Sequence, residues 1–162
     1  MNTRCGRASP QTLTTRMAPS ICAAPVIMSE PRSDRRAMAK HLGADYLINP
    51  LKEDPVKKVK ELTSGVGVDF SVEASGVPIV INQILHMTNR GGKVCLAAFS
   101  NDLTPTDLAY VVSNNIYMFG IRGEGNSAVR RAASLLEQKR FDPSPLHTHT
   151  FPLEEADKAV SY

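Results

Sequence analysis

No apolar run in this chain approaches the roughly 20 residues that a bilayer-spanning helix needs, so no transmembrane segment is expected. Cysteine is scarce. Cys5, Cys22 and Cys95 form an odd set with no C-x-x-C spacing, which argues against both a disulfide framework and a structural zinc site. Cys95 lies in an apolar run and reads as a buried, inert thiol, and a reducing, cytoplasmic-type compartment fits that usage. No G-x-S-x-G occurs, and no Ser-His-Asp or Cys-His constellation can be assembled. Acids are absent from Met1 to Ala24, so Arg4, Arg7 and Arg16 account for the whole formal net charge of +3. The remainder is neutral, with no basic face to attract nucleic acid.

What is present fits one soluble domain. At 162 residues the chain can bury a real core, and its 42% hydrophobic and 22% charged residues are ordinary for a globular protein. Residues 1–24, rich in Arg, Ser, Thr, Pro and Ala, show no apolar periodicity. They permit a transit peptide or a disordered tail. They also permit a third reading, in which they stand where a strand–turn–helix is missing.

From Pro25 onward, strand and helix signals alternate. Strands are expected at Val26–Ser29, Tyr46–Asn49, Val68–Val72, Lys93–Phe99, Ile116–Ile121 and Thr148–Phe151. Between them lie helices from Ser33 or Asp34 to Leu42, at Asp54–Leu62, at Pro78–Met87 and at Asp107–Val112. Asn89 to Gly92 reads as a turn. A further helix spans Ala128–Lys139, capped by Asn126 or Ser127, with Val129, Ala132, Leu135 and Leu136 expected to face inward. Another opens at Leu153–Val160. Strands separated by helices of about ten residues imply right-handed crossovers and a parallel sheet, an α/β doubly wound (Rossmann) architecture.

Glu30 ends the first of these strands. In a doubly wound nucleotide-binding sheet a carboxylate at the end of the second strand accepts the adenosine ribose hydroxyls, which points to NAD. A solvated glutamate before a turn is the plainer alternative. Arg32, Arg35 and Arg36 lie close enough to accommodate the phosphate of NADP, but Glu30 at the strand terminus favours NAD. The G-x-G-x-x-G that should precede such a carboxylate is not upstream.

Three more strand ends carry small or flexible residues: Ala74-Ser75-Gly76, Ala97-Ala98-Phe99 and Gly120-Ile121-Arg122-Gly123. Small residues there let backbone approach a flat cofactor, and ligands of open parallel sheets sit at those ends. Gly123-Glu124-Gly125 is a weak phosphate-loop signal. His147 and His149 could place two imidazoles on one side of a strand, but no third metal ligand stands at a convincing spacing. His41 and His86 read as helix-surface residues.

Taken in order, these segments resemble the medium-chain zinc-type alcohol dehydrogenases, closest to threonine, sorbitol and other polyol dehydrogenases. Val26 to Pro31, Ala39 to Asp45 and Asn49-Pro50 look like that family's second βα unit. Gly67 to Gly76 resembles its fourth strand and following loop. Gly91 to Val94 and Gly120 to Gly123 match its fifth and sixth strands, and His149 to Ala156 matches the return toward its catalytic domain. The resemblance runs from about Pro25 to Tyr162 as a partial NAD-binding domain.

The resemblance implies hydride transfer between an alcohol or polyol and NAD, with zinc polarising the substrate oxygen. It places Glu30 on the adenosine ribose with Arg35 beside it, and Ala74, Ser75 and Gly76 along the ribose side. Ala97, Ala98, Phe99, Gly120, Ile121 and Arg122 would flank the nicotinamide. The family's zinc ligands and phosphate-binding glycine turn have no counterpart in this sequence, so the resemblance is to an incomplete sheet lacking its first strand–turn–helix. An inactive fragment is therefore expected. Two apolar strand edges would face a gap, favouring marginal stability and pairing with another chain; relatives commonly form homo-oligomers through sheet edges. The alternatives are a nucleotide-binding or interaction module without turnover, and a zinc-free NADPH quinone reductase-like enzyme, against which Glu30 speaks.

Overall fold

The computed structural model of the chain describes residues 24–98, 103–123, 125–139 and 142–161. Five strands alternate with helices: β1 (Ile27–Ser29), α1 (Ser33–His41), β2 (Tyr46–Ile48), α2 (Pro55–Leu62), β3 (Val68–Glu73), α3 (Pro78–Met87), β4 (Thr88–Leu96), α4 (Leu108–Ser113), β5 (Tyr117–Gly120), α5 (Gly125–Glu137) and α6 (Ala156–Ser161). Every strand pair is parallel, as the helical spacers between them require.

The sheet comes in two pieces. β1 pairs only with β2, while β3, β4 and β5 form a second sheet in that order. Among the described residues no strand bridges β1 and β3, so each leaves one ladder edge unpaired. Side chains join the pieces instead. Ile27, Ile48, Val59, Val68 and Met87 form one buried cluster that spans both sheets and the α2–α3 layer, with Val56 and Leu62 packed against it. A second cluster, Ile84, Leu85, Val94 and Ile116, seats α3 on β4.

Local chemistry explains the helix starts unevenly. Asp54 caps α2 by accepting from Val56 N at 2.9 Å and Lys57 N at 3.3 Å, and Pro55 occupies the first turn, where no N–H is needed. α1 lacks the Ser33 or Asp34 cap that its sequence suggests. Its N-cap residue is Arg32, with no side-chain cap bond, because the Asp34 carboxylate turns back to grip the Arg32 guanidinium at 2.7 and 3.1 Å.

That grip holds the exposed Asp34 carboxyl down from 3.8 to about 2. Because the folded value is depressed, any stabilisation from the pair is fully present above pH 3.8 and disappears as pH falls through about 2. An NMR titration of the Asp34 carboxyl carbon is expected to show a midpoint near 2 in the wild type and a return toward 3.8 in Arg32→Ala. An unchanged midpoint in the variant would remove the Arg32 pairing as the cause.

Four further expectations are corrected. Asn89 to Gly92 is not a free turn but an irregular stretch inside β4, where the register to β3 jumps from Val68↔Thr88 to Phe70↔Lys93. Asn89 Nδ2 donates to Asp69 there, pinning the bulge across to β3. Thr148–Phe151 is not a strand: Thr148 to Thr150 are exposed, Phe151 is half-buried, and among the described residues no strand lies beside them to form the ladder that needs two partners. The apolar stripe of α5 does not face inward, since Val129, Ala132, Leu135 and Leu136 are all exposed. α5 also begins at Gly125, so Asn126 and Ser127 fall in its first turn rather than before it. Cys95 is buried, while Cys5 and Cys22 lie outside the described residues. Among the described residues no helix is long and apolar enough to cross a membrane.

Candidate functional site

The carboxyl ends of the strands gather along one edge of the molecule. At the end of β1, Glu30 N donates to Ile48 O at 3.0 Å, and Glu30 Oε1 accepts from Arg32 N at 2.8 Å. The carboxylate is thus held by its own following turn and remains half-exposed. Arg36 braces the same corner, its Nη1 donating to Glu30 O at 2.7 Å and Pro31 O at 2.6 Å. The guanidinium that touches the Glu30 corner is therefore Arg36's, while Arg35 is exposed. With Arg32 held by Asp34 and Arg36 by main-chain carbonyls, two of the three nearby cations are already engaged.

The ends of β3, β4 and β5 are stitched side by side through backbone. Ala97 N and Ala98 N donate to Glu73 O at 2.8 and 3.2 Å, and Ile121 N donates to Leu96 O at 3.0 Å. Ala97, Ala98, Gly120, Ile121 and Arg122 together line one open depression of about 670 Å³. Phe99 lies outside the described residues. Ala74 and Ser75 line a separate cavity of about 340 Å³, together with Pro31, Pro50, Leu51 and Val77. The loop that carries them is shaped by Glu73. Its Oε1 accepts from Ser75 N at 2.7 Å, Gly76 N at 3.0 Å and the Ser75 hydroxyl. Gly76 has φ 68°, the left-handed conformation that glycine adopts without strain.

So the site residues expected from the sequence fall into two adjoining groups, an acidic corner with its cavity and a small-residue depression beside it. Pro31, Pro50 and Leu51 were missed. Their place in the cavity depends on β1, β2 and β3 meeting in space. Glu73 was also missed; a glutamate closing an apolar strand two residues before Ser-Gly is the signal for a loop-binding carboxylate.

Among the described residues no group of three or more His, Cys, Asp or Glu could hold a metal ion. His147 Nε2 bonds Thr150 Oγ1 and His149 Nδ1 bonds Thr148 Oγ1.

Comparison with known proteins agrees with this geometry. The zinc-binding dehydrogenase family matches residues 12–138. L-threonine 3-dehydrogenase of Thermococcus kodakarensis is 36% identical over 129 residues, covering 78% of this chain and 37% of the relative. The Bacillus subtilis L-threonine 3-dehydrogenase is 36% identical over 138 residues, covering 84% and 40%. Among solved structures, alcohol dehydrogenase TADH from Thermus sp. ATN1 superposes with a TM-score of 0.78 at 26% identity, covering 87% of this chain and 41% of that one. The 2R,3R-butanediol dehydrogenase of Bacillus subtilis gives 0.69 at 26% identity, covering 76% and 35%. The chain thus spans about two-fifths of the length of these relatives. Parallel sheets, strand-end depressions and a match over residues 12–138 agree: the chain belongs to the zinc-binding dehydrogenase family.

Proposed function

We propose that this chain is the nucleotide-binding part of an NAD-dependent alcohol or polyol dehydrogenase, and that by itself it binds NAD without turning it over. The observation that carries the reading is Glu30, a carboxylate fixed at a strand end between Ser29 and Pro31, which both line the cavity. The residues fit the cofactor. Glu30 would accept the adenosine ribose hydroxyls, with Arg32 N–H keeping its Oε1 in place. Ala74, Ser75 and Gly76 would line the ribose side, and the exposed Arg35 would lie beside Glu30. Ala97 to Phe99 and Gly120 to Arg122 would run along the nicotinamide, presenting backbone groups to its carboxamide. When bound, NAD supplies the hydride-accepting ring.

Zinc does not fit the described residues, and no step through a metal is assigned to them. NADP is disfavoured because its 2′-phosphate would meet the Glu30 carboxylate while Arg32 and Arg36 are engaged elsewhere.

Calorimetric titration tests this. Saturable NAD binding is expected, weakened about tenfold by Glu30→Ala, the scale of losing hydrogen bonds to a charged acceptor. No saturation at millimolar NAD, or an unchanged affinity in the variant, would defeat the nucleotide reading. With threonine, sorbitol or a simple alcohol, the purified chain is expected to form no NADH.

A further inference from the structure

The cavity beside β1 and β3 holds a second chemical feature that NAD recognition does not use. Its inner wall is apolar, formed by Ile27, Val59, Ile84 and Met87. Glu73 lines it too, a carboxylate whose residue is only 2% exposed. All three hydrogen bonds to that carboxylate, from Ser75 N, Ser75 Oγ and Gly76 N, end on Oε1. Among the described residues Oε2 has no partner, and no lysine, arginine or histidine lines the cavity. The Ser71 hydroxyl on the same wall is already committed, because Thr88 Oγ1 donates to Ile84 O at 2.7 Å and so takes its own bond from Ser71 Oγ.

A buried carboxylate with one oxygen served three times and the other not at all is costly, and a cationic donor answers both the charge and the open lone pairs. At about 340 Å³ the cavity is of the size that takes small ligands. We propose that it is a binding site for a small primary amine: an apolar, ring-sized body lying against Ile27, Ile84 and Met87, with its ammonium N–H on Glu73 Oε2. The ligand class follows from the wall. An apolar body matches the lining, and the ammonium supplies a positive charge that none of the described lining residues brings to Glu73.

Benzylamine at neutral pH, where it is the ammonium ion, is a direct probe, with benzyl alcohol as its neutral counterpart. Titration of the full wild-type chain should show the ammonium binding at least about tenfold more tightly than the alcohol. Glu73→Gln keeps an oxygen for the Ser75 and Gly76 amides but turns an N–H toward the cavity. It should weaken benzylamine at least about tenfold and leave benzyl alcohol nearly unchanged.

The site shares Ala74 and Ser75 with the NAD reading, but the two rest on different carboxylates, Glu73 and Glu30, and fail separately. Glu30→Ala should lower NAD affinity while benzylamine binds as before. The preference for benzylamine over benzyl alcohol is read without NAD, so its loss in Glu73→Gln does not bear on the nucleotide reading. Equal wild-type affinities for amine and alcohol, no binding of the amine, or full amine binding by Glu73→Gln would each overturn the proposal. The wild-type comparison needs no variant, so it decides even if Glu73→Gln folds poorly.

Discussion

Gly67→Ala is expected to unfold most of the chain at room temperature. Gly67 sits between α2 and β3 with φ +94°, where an L side chain is strained. A Cβ built there would lie 2.5 Å from the main-chain oxygen of Met87 and 3.1 Å from Asn89 N. Neither atom can yield easily. Met87 and Asn89 flank Thr88, which is fully buried and bonded to both Ser71 and Ile84. The Gly67 amide is itself tied to Thr63 Oγ1 at 2.8 Å, so the loop cannot swing out without losing a buried bond. Backbone strain and overpacking each cost roughly 1–3 kcal/mol, so the sum should reach about 4 kcal/mol. Gly65→Ala is the matched control. It has φ +83° with nothing within 4 Å of its would-be Cβ, so only the strain of about 1 kcal/mol remains. Urea titrations should place the Gly67→Ala midpoint far below that of Gly65→Ala. Equal midpoints would mean that the close approach to Met87 is not what holds this junction.

Much of this architecture was legible from local chemistry, and the failures share a cause. β1, β2 and β3 are short β-branched or apolar runs bounded by turn residues, and they fold as expected within a residue or two. Asp54-Pro55 announces its helix because both capping elements lie within two residues of each other. α5 carries an equally clear apolar stripe, yet the stripe is exposed. Periodicity reports which face a helix could bury, not whether a surface is there to receive it. Thr148–Phe151 failed for the same reason, having strand-like residues but no strand beside them. The small-residue strand ends were visible one by one, whereas the cavity between β1 and β3 was not. It exists because two strands distant in sequence share one space without pairing, and because a glutamate folds back onto its own loop.

The split sheet also makes helix packing unusually important, which sets the expectation for Leu85→Ala. Leu85 is 0% exposed and belongs to the cluster with Ile84, Val94 and Ile116 that seats α3 on β4. Truncating a buried leucine costs 2–5 kcal/mol, part from lost transfer and part from the cavity left behind. A value of about 3 kcal/mol is expected here, which should lower the thermal midpoint by roughly 10 °C in a chain of this size. Leu103→Ala, at a residue 100% exposed, should leave the midpoint unchanged. The consequence reaches the site through α3. Ile84 and Met87, on either side of Leu85, line the cavity, and Thr88 anchors Ser71 on its wall. Loss of the Leu85 side chain should therefore loosen that wall before the β1–β2 sheet melts. Hydrogen exchange should show the amides of Ser71, Val72 and Glu73 losing protection ahead of Met28 and Leu47. Simultaneous loss across both sheets would instead mean that the Ile27–Ile48–Val59–Val68–Met87 cluster couples the two pieces into one cooperative unit.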